Sequence, residues 1–301
     1  MSQSPIKTRR TIPTRTVRTR RVAFDYAGDE LPRHYVGGDL VMSHVVTNLS
    51  AMFPEGEDFF VRAVRHYRDR ITDPQLKAQV AGFIGQEAMH GREHRSFNAR
   101  LQELGYPTRE VDRAVKWGLL FGEKVLPKRT QLAITAALEH YTATLAEVLL
   151  SSPEAQGMLN VEEIRSLMLW HALEESEHKS VAFDVYQEVN GNHLRRVLVM
   201  DAVTAGFLTA IVASTVRSML TDPATRSPRR VVRSLTALRH SPFLTPAVLR
   251  HIRDYNRRGF HPDDRDTAAL MEQWRSELFG DAGTLTSRLK TADPGPAVAA
   301  M

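Results

Sequence analysis

Between residues 40 and 190 apolar positions recur at helical spacing. Proline and glycine fall mostly at punctuation points: Pro54, Pro74, Gly105-Tyr106-Pro107, Pro127, Ser151-Ser152-Pro153 and Asn190-Gly191. The pattern predicts long helices over 55–70, 74–104, 128–150 and 160–189, with a shorter one near 109–122 joining the second to the third. Thr72-Asp73-Pro74 reads as an N-terminal cap followed by proline in the first turn. A further apolar stretch, 197–220, is long enough to span a bilayer. It contains Asp201, Thr204, Thr209, Ser214, Thr215 and Arg217, which favours a buried fifth helix beside the bundle. A membrane-facing helix is the alternative. The expected fold is all-α: four long helices with additional flanking helices. The expected organisation is a basic disordered arm at 1–28, a helical domain at 29–280 and a loose tail at 281–301.

Three of the long helices have polar residues in the middle of an apolar stripe. In the second, Leu76, Val80, Phe83, Glu87, His90, His94, Phe97 and Leu101 alternate steps of four and three. In the fourth, Ile164, Met168, His171, Glu175, His178, Ala182, Val185 and Val189 do the same. The third carries Leu132, Ala136, Glu139, Ala143, Ala146 and Leu150, with Glu139 central. An unpartnered buried carboxylate costs several kcal/mol or takes up a proton. Matching polar centres therefore imply that the groups face one another across something cationic.

The first helix has two acidic candidates. Glu57 shares its face with Phe60, Val61 and Val64, whereas Glu55 shares its face with Asp58 and Arg62. Glu57 is the expected ligand, and Glu55 is expected to be solvated or at a cap. The chain thus offers a single Glu, a Glu-x-x-His, a single Glu and a second Glu-x-x-His, in that order. That is the ligand set of the di-iron and di-manganese carboxylate bundles. The expected metal ligands, through which catalysis would act, are Glu57, Glu87, His90, Glu139, Glu175 and His178, with His171 as an extra member. His94, Glu174 and Tyr141 are expected to lie behind the ligands or against substrate. Ala136, Ala143 and Ala146 either leave room for substrate or allow close helix packing.

Composition narrows the metal. There is no cysteine among the 301 residues, which excludes disulfides, thiolate nucleophiles and Cys-based zinc sites. An oxygen and nitrogen donor set suits iron, manganese or a mixed pair, and also zinc. The net charge of +5 is uneven: residues 1–21 carry seven basic side chains and no acid, and residues 226–258 carry nine arginines against Asp254. The remainder is acidic. The tail has no aromatic residues interleaved for stacking on bases, so no specific nucleic-acid partner is expected. No apolar secretory segment follows Met1, giving a cytoplasmic expectation, with membrane association as the alternative.

The motifs Phe53-Pro54-Glu55-Gly56-Glu57, Gln86-Glu87-Ala88-Met89-His90 with Arg92-Glu93-His94, Leu138-Glu139-His140-Tyr141-Thr142 and Trp170-His171 through Glu174-Glu175-x-Glu177-His178-Lys179 resemble the bacterial predicted metal-dependent hydrolase family. The likeness runs over roughly residues 30–280. The ligand order is similar to that of the ferritin-like di-iron carboxylate superfamily, which implies a ferritin-like four-helix bundle. His171, four residues before Glu175, resembles the added ligand of p-aminobenzoate N-oxygenase-type enzymes, a likeness confined to the metal-binding pattern; His94 is not part of it. That resemblance implies O2 activation and oxygenation of an amine. The leading expectation is a di-iron oxygenase or oxidase acting on a small organic substrate. It would take electrons from a separate donor protein or from the substrate, since no nicotinamide or flavin fingerprint is present. A dinuclear hydrolase of esters or phosphoesters, a non-enzymatic iron-binding protein and a peripheral membrane enzyme are the alternatives. A homodimer is compatible with each.

Overall fold

The computed structural model describes residues 16–26 and 31–290. Among them are eleven α-helices, several short 3-10 turns and one isolated antiparallel bridge, Val22 to Leu289. Four segments enclose the centre: α1 (Leu40–Arg65), α2 (Pro74–Glu103), α4 (Lys128–Ser151), and α6 (Glu162–His178) continued by α7 (Val181–Glu188). Helix α1 packs along α2, and α4 packs along α6 and α7. The set closes where α1 meets α4 and α2 meets α6 and α7. Helix α3 (Thr108–Val125) crosses over α1 on the way from α2 to α4, and α5 (Pro153–Gly157) is a single turn.

The apolar core is divided by the polar centre. One cluster holds Phe59, Phe60, Val64, Val80, Phe83, Leu132, Ala136 and Val185; the other holds Phe97, Leu101, Leu150, Ile164, Trp170 and Leu173. Burying each large side chain contributes about 1.5–3 kcal/mol, so the two apolar ends can carry a polar middle. The same division sets direction. Helices α2 and α4 begin in the first cluster and end in the second, while α6–α7 runs the opposite way and α1 ends in the first. Parallel α2 and α4 need a long connection, which α3 supplies.

Several expectations need correction. The first helix begins at Leu40, not near 55, and Pro54 lies inside it. Proline has no N–H for the carbonyl four residues back, and Asn98 Nδ2 on α2 donates to the Ser50 carbonyl instead, at 2.9 Å. The inward face of the missed turns is Ser43, His44, Thr47, Asn48 and Ser50, all buried, so hydrophobic periodicity could not show it. The expected single helix over 160–189 is two, interrupted at Lys179-Ser180. There Lys179 Nζ donates to the Arg265 carbonyl and to Thr267 Oγ1, and Ser180 Oγ donates to Asp184 Oδ2. The stripe nonetheless continues, with Ala182, Val185 and Val189 buried.

The arm and tail are also corrected where they are described. Residues 16–26 lie against the helices: Val17, Val22 and Tyr26 are buried, and Lys290 N donates to the Arg21 carbonyl at 2.8 Å. Two glycines of α2 make room for this segment. A Cβ at Gly82 would fall 2.0 Å from the Val17 carbonyl oxygen, and one at Gly85 would fall 2.0 Å from Thr19 Oγ1. At the other end Leu285 is fully buried, so 281–290 is not loose. Residues 1–15 and 291–301, to which the remainder of these two expectations applies, lie outside the described residues.

The stretch expected as a buried fifth helix is α8 (His193–Leu220), and only one side of it is covered. It packs on α1 and α4 through Met200, Thr215 and Ser218, leaving Leu194, Leu198, Leu208, Val212, Val216 and Leu220 more than half exposed. The later Arg-rich region forms α9 (Pro228–Ala237) on α1 and α10 (Pro246–Asp254) on α4; α11 (Ala268–Phe279) packs on α6 and α4.

Candidate metal centre

Each enclosing segment delivers carboxylate or imidazole to one buried cluster. The stripe on α2 is buried throughout, so Glu87, His90 and His94 point inward between Phe83 and Phe97. Helix α4 brings Glu139, α6 brings His171, Glu175 and His178, and α1 brings Glu57, which is 3 % exposed. The central acceptor is Glu175. Its Oε1 lies 3.0 Å from His171 Nε2, 3.6 Å from His90 Nδ1 and 3.6 Å from His178 Nε2. His178 Nε2 is also 3.0 Å from Glu87 Oε1 and 3.4 Å from Glu139 Oε2, and His171 Nε2 is 3.7 Å from Glu57 Oε1. Glu57, Glu87 and His90 converge within 4.8 Å, as do Glu87, Glu175 and His178, and His90, His171 and Glu175.

The hydrogen-bond account of these groups does not close. Both carboxylate oxygens of Glu57, Glu87 and Glu139, Oε2 of Glu175, Nδ1 of His90 and Nε2 of His178 are buried without an aligned hydrogen-bond partner, the 3.0 Å approach of His178 Nε2 to Glu87 Oε1 being a contact without hydrogen-bond geometry. No other glutamate or histidine among the described residues has such an atom. Buried polar groups are almost always satisfied, and each orphan costs about 1–3 kcal/mol. Orphaned atoms on six inward-facing residues are consistent with a bound cation. Four carboxylates neutralise two divalent ions, and the oxygen and nitrogen donors suit Fe, Mn or Zn. The residues present fit a bound metal.

Electrostatics say the same. Burial, with Glu87 and Glu175 nearby, pushes the Glu57 carboxyl well above its usual range. Burial does the same to Glu139, and raises Glu87 against the opposing pull of His178. Burial would raise Glu175 too, but His178 and His171 hold it well below. His178 is held well above the ordinary imidazole by Glu139 and Glu175 in spite of its burial. His90 and His94 are pushed well below by burial and by His171, which suits neutral donors.

A second layer holds the imidazoles. His90 Nε2 sits 3.1 Å from Glu174 Oε2, and His178 Nδ1 sits 2.9 Å from Gln86 Oε1. Gln86 Nε2 donates to Glu177 Oε2 at 2.9 Å. Arg20 joins the two branches: its guanidinium donates to Glu174 Oε1 at 3.0 Å and to both oxygens of Glu177 at 2.8 and 2.9 Å. Burial pushes Glu174 up to about 8 even beside Arg20. Glu177, also contacted by Arg275 Nε at 2.7 Å, is held low by the two guanidiniums against its burial. His171 Nδ1 pairs with His94 Nε2 at 2.7 Å, and His94 Nδ1 pairs with Ser50 Oγ at 2.8 Å. Fixing the far nitrogen of each imidazole fixes which nitrogen faces inward.

All seven residues expected as ligands therefore meet. Glu174 and His94 stand behind them. Tyr141 does not: its hydroxyl donates to Thr204 Oγ1 on α8 at 2.7 Å, pointing away from the cluster two residues along α4 from Glu139. Glu55 is neither solvated nor at a cap. It lies in mid-helix, 3.4 Å from Lys116 Nζ and 3.9 Å from Arg95. The sequence reading missed Arg20, Gln86, Glu177, Ser50 and Asn98. Glu177 could have been found as an acid beside the stripe in a helix that is buried all round. Arg20 had no local signal, since its segment reads as a basic leader.

No curated protein and no solved structure matches this chain. One family does: the description "predicted metal-dependent hydrolase" matches residues 18–266. That span includes every residue of the cluster and Arg20, and the chain belongs to this predicted metal-dependent hydrolase family.

Proposed function

We propose that the chain is a dinuclear metalloenzyme, with a di-iron centre that uses O2 to oxidise or oxygenate a small organic substrate. The observation that carries this reading is the set of orphaned atoms on Glu57, Glu87, His90, Glu139, Glu175 and His178. With α2 and α4 parallel and α3 as the one long connection, the helix directions agree with a ferritin-like bundle. Bound iron would supply the redox chemistry; Glu57, Glu87, Glu139 and Glu175, the first three with both oxygens unpartnered and Glu175 with one, would hold it. Burial favours O2 over water as co-reactant. All seven candidate ligands are at most 5 % exposed, a poor setting for a polar ester or phosphoester and its attacking water.

His171 extends the reading toward amines. Its Nε2 faces Glu175 and Glu57 while His94 fixes its other nitrogen, so it is placed as a further nitrogen donor. The family description favours a second reading, a dinuclear hydrolase. Oxygen uptake separates the two. Apo-protein loaded anaerobically with ferrous iron and mixed with O2 should consume oxygen in proportion to bound iron pairs. Anaerobic turnover of ester or phosphodiester panels with Zn or Mn, without oxygen uptake by the ferrous form, would defeat the oxygenase reading.

A further inference from the structure

The outer face of α8 is unlike that of a surface helix. Leu194, Leu198, Ala202, Ala205, Leu208, Val212, Val216 and Leu220 are all exposed and lie in one strip, whose one acid, Asp201, accepts from Asn256 Nδ2. At ~1.5 Å per residue the strip is about 40 Å long. An exposed helix face normally carries charge, and a contiguous apolar surface of this length marks an interaction site. The inner face argues against a membrane span. Arg196 is buried and donates to the Tyr255 and Arg257 carbonyls, and Tyr141 is bonded to Thr204. Helix α8 is thus fixed to the fold along its length.

The charge around the strip names what covers it. Helices α8, α9 and α10 all pack on the layer made by α1 and α4. Helix α9 carries exposed Val232 and Leu235 close to exposed Arg229 and Arg233, and α10 carries exposed Leu249 beside Arg250 and Arg253. Arg217 and Arg226 lie at the C-terminal end of α8. None of these six arginines makes an ion pair among the described residues. Two copies of this face would bring arginines against arginines. Residues 1–15 are themselves basic, with Lys7, Arg9, Arg10 and Arg15. An apolar strip bordered by unpaired arginines fits a surface with an apolar interior and anionic headgroups.

We infer that the face formed by α8, with the arginines of α9 and α10, docks this protein peripherally on an anionic lipid bilayer. The inference is independent of the metal chemistry. Tyr141 bonds α8 two residues from Glu139, so a docked bilayer would lie one helix away from the metal cage.

Co-sedimentation of the full chain with phosphatidylcholine vesicles, with and without phosphatidylglycerol, tests it. The wild type should pellet with the anionic vesicles and be released by salt, because exposed charges are screened. The double variant L208E/V212E changes only exposed positions and should stay in the supernatant with its helicity and metal content unchanged. R229E/R233E should weaken partitioning on the order of tenfold or more, at roughly one kcal/mol per basic residue near the surface. Failure of the wild type to pellet with any vesicle would overturn the proposal, as would pelleting of L208E/V212E equal to wild type. So would a wild-type dimer in ultracentrifugation that L208E/V212E converts to monomer with no vesicle binding, since a second copy would then cover the strip.

Discussion

Two clusters of histidine and carboxylate lie inside this protein, and they have opposite electrostatic fates. At one, His34 Nε2, His44 Nε2 and Arg33 Nε approach the single oxygen Asp222 Oδ2 at 3.0, 3.1 and 3.0 Å. Ala224 N donates to the other oxygen at 2.8 Å, and His44 Nδ1 pairs with Ser218 Oγ at 2.7 Å. No buried side-chain polar atom of Arg33, His34, His44 or Asp222 lacks a partner, and a guanidinium already occupies the place of a cation. At the other, Glu57, Glu87, Glu139 and Glu175 face His90 and His178 with nine buried atoms unpartnered. Residue type and proximity are alike in the two. What separates a structural hub from a candidate metal cage is whether the buried polar atoms find partners within the protein.

The largest contrast is in metal content. Wild type loaded with iron should hold about two ions per chain. Glu139→Ala, Glu57→Ala and His178→Ala should each lose most of it by elemental analysis, while Asp222→Asn should keep two. Equal loss from Asp222→Asn would erase the distinction. Acidity offers a second handle. Glu57, Glu87, Glu139 and His178 all hold protons more tightly than usual without metal. Each must release its proton to ligate, so uptake should liberate protons and affinity should rise with pH. A pH-independent affinity, measured by competition with a chelator, would count against the cage.

Next in size is the layer behind the imidazoles. Arg20→Ala should lower metal affinity roughly 10–100-fold while preserving the stoichiometry at saturation, as loss of outer partners generally does. Unchanged affinity would make Arg20 a packing residue only. Asp222→Asn should act on stability instead, costing roughly 1–3 kcal/mol by leaving buried donors unpaired. Its carboxyl is held low by the Ala224 N–H, Arg33 and the two histidines, although burial opposes this. The stability it contributes is therefore complete above the unfolded value of about 3.9 and is lost as pH falls through the lower folded value. Melting curves of wild type and variant should then converge in acid. A gap that persists there would contradict the assignment. Glu55→Ala, which removes a carboxylate paired with half-exposed Lys116 and Arg95 outside the cluster, should change metal content little.

How much of this was legible in the sequence follows from the same physics. The stripe on α2 was readable because each of its eight positions, from Leu76 to Leu101, is buried and the spacing never breaks. Glu139 and Glu57 were readable as acids among apolar neighbours. The first half of α1 was not, because its buried face is polar and Pro54 mimics a boundary. The break at Lys179-Ser180 leaves no mark because both residues keep helical backbone angles and the stripe resumes beyond it. Tyr141 was misplaced because proximity in sequence to Glu139 does not put it on the same helix face. Arg20 was invisible, since its partners lie more than 150 residues away.

The central claim is that the orphaned atoms mark two cation positions inside the bundle. Its most direct test is a crystal structure of the iron-loaded protein with anomalous scattering at the iron edge. The account predicts two peaks among Glu57, Glu87, His90, Glu139, Glu175 and His178, with imidazole nitrogens at roughly 2.0–2.3 Å, and no peak at Asp222. A single peak, or metal bound at His34, His44 and Asp222 with the interior cluster empty, would contradict it.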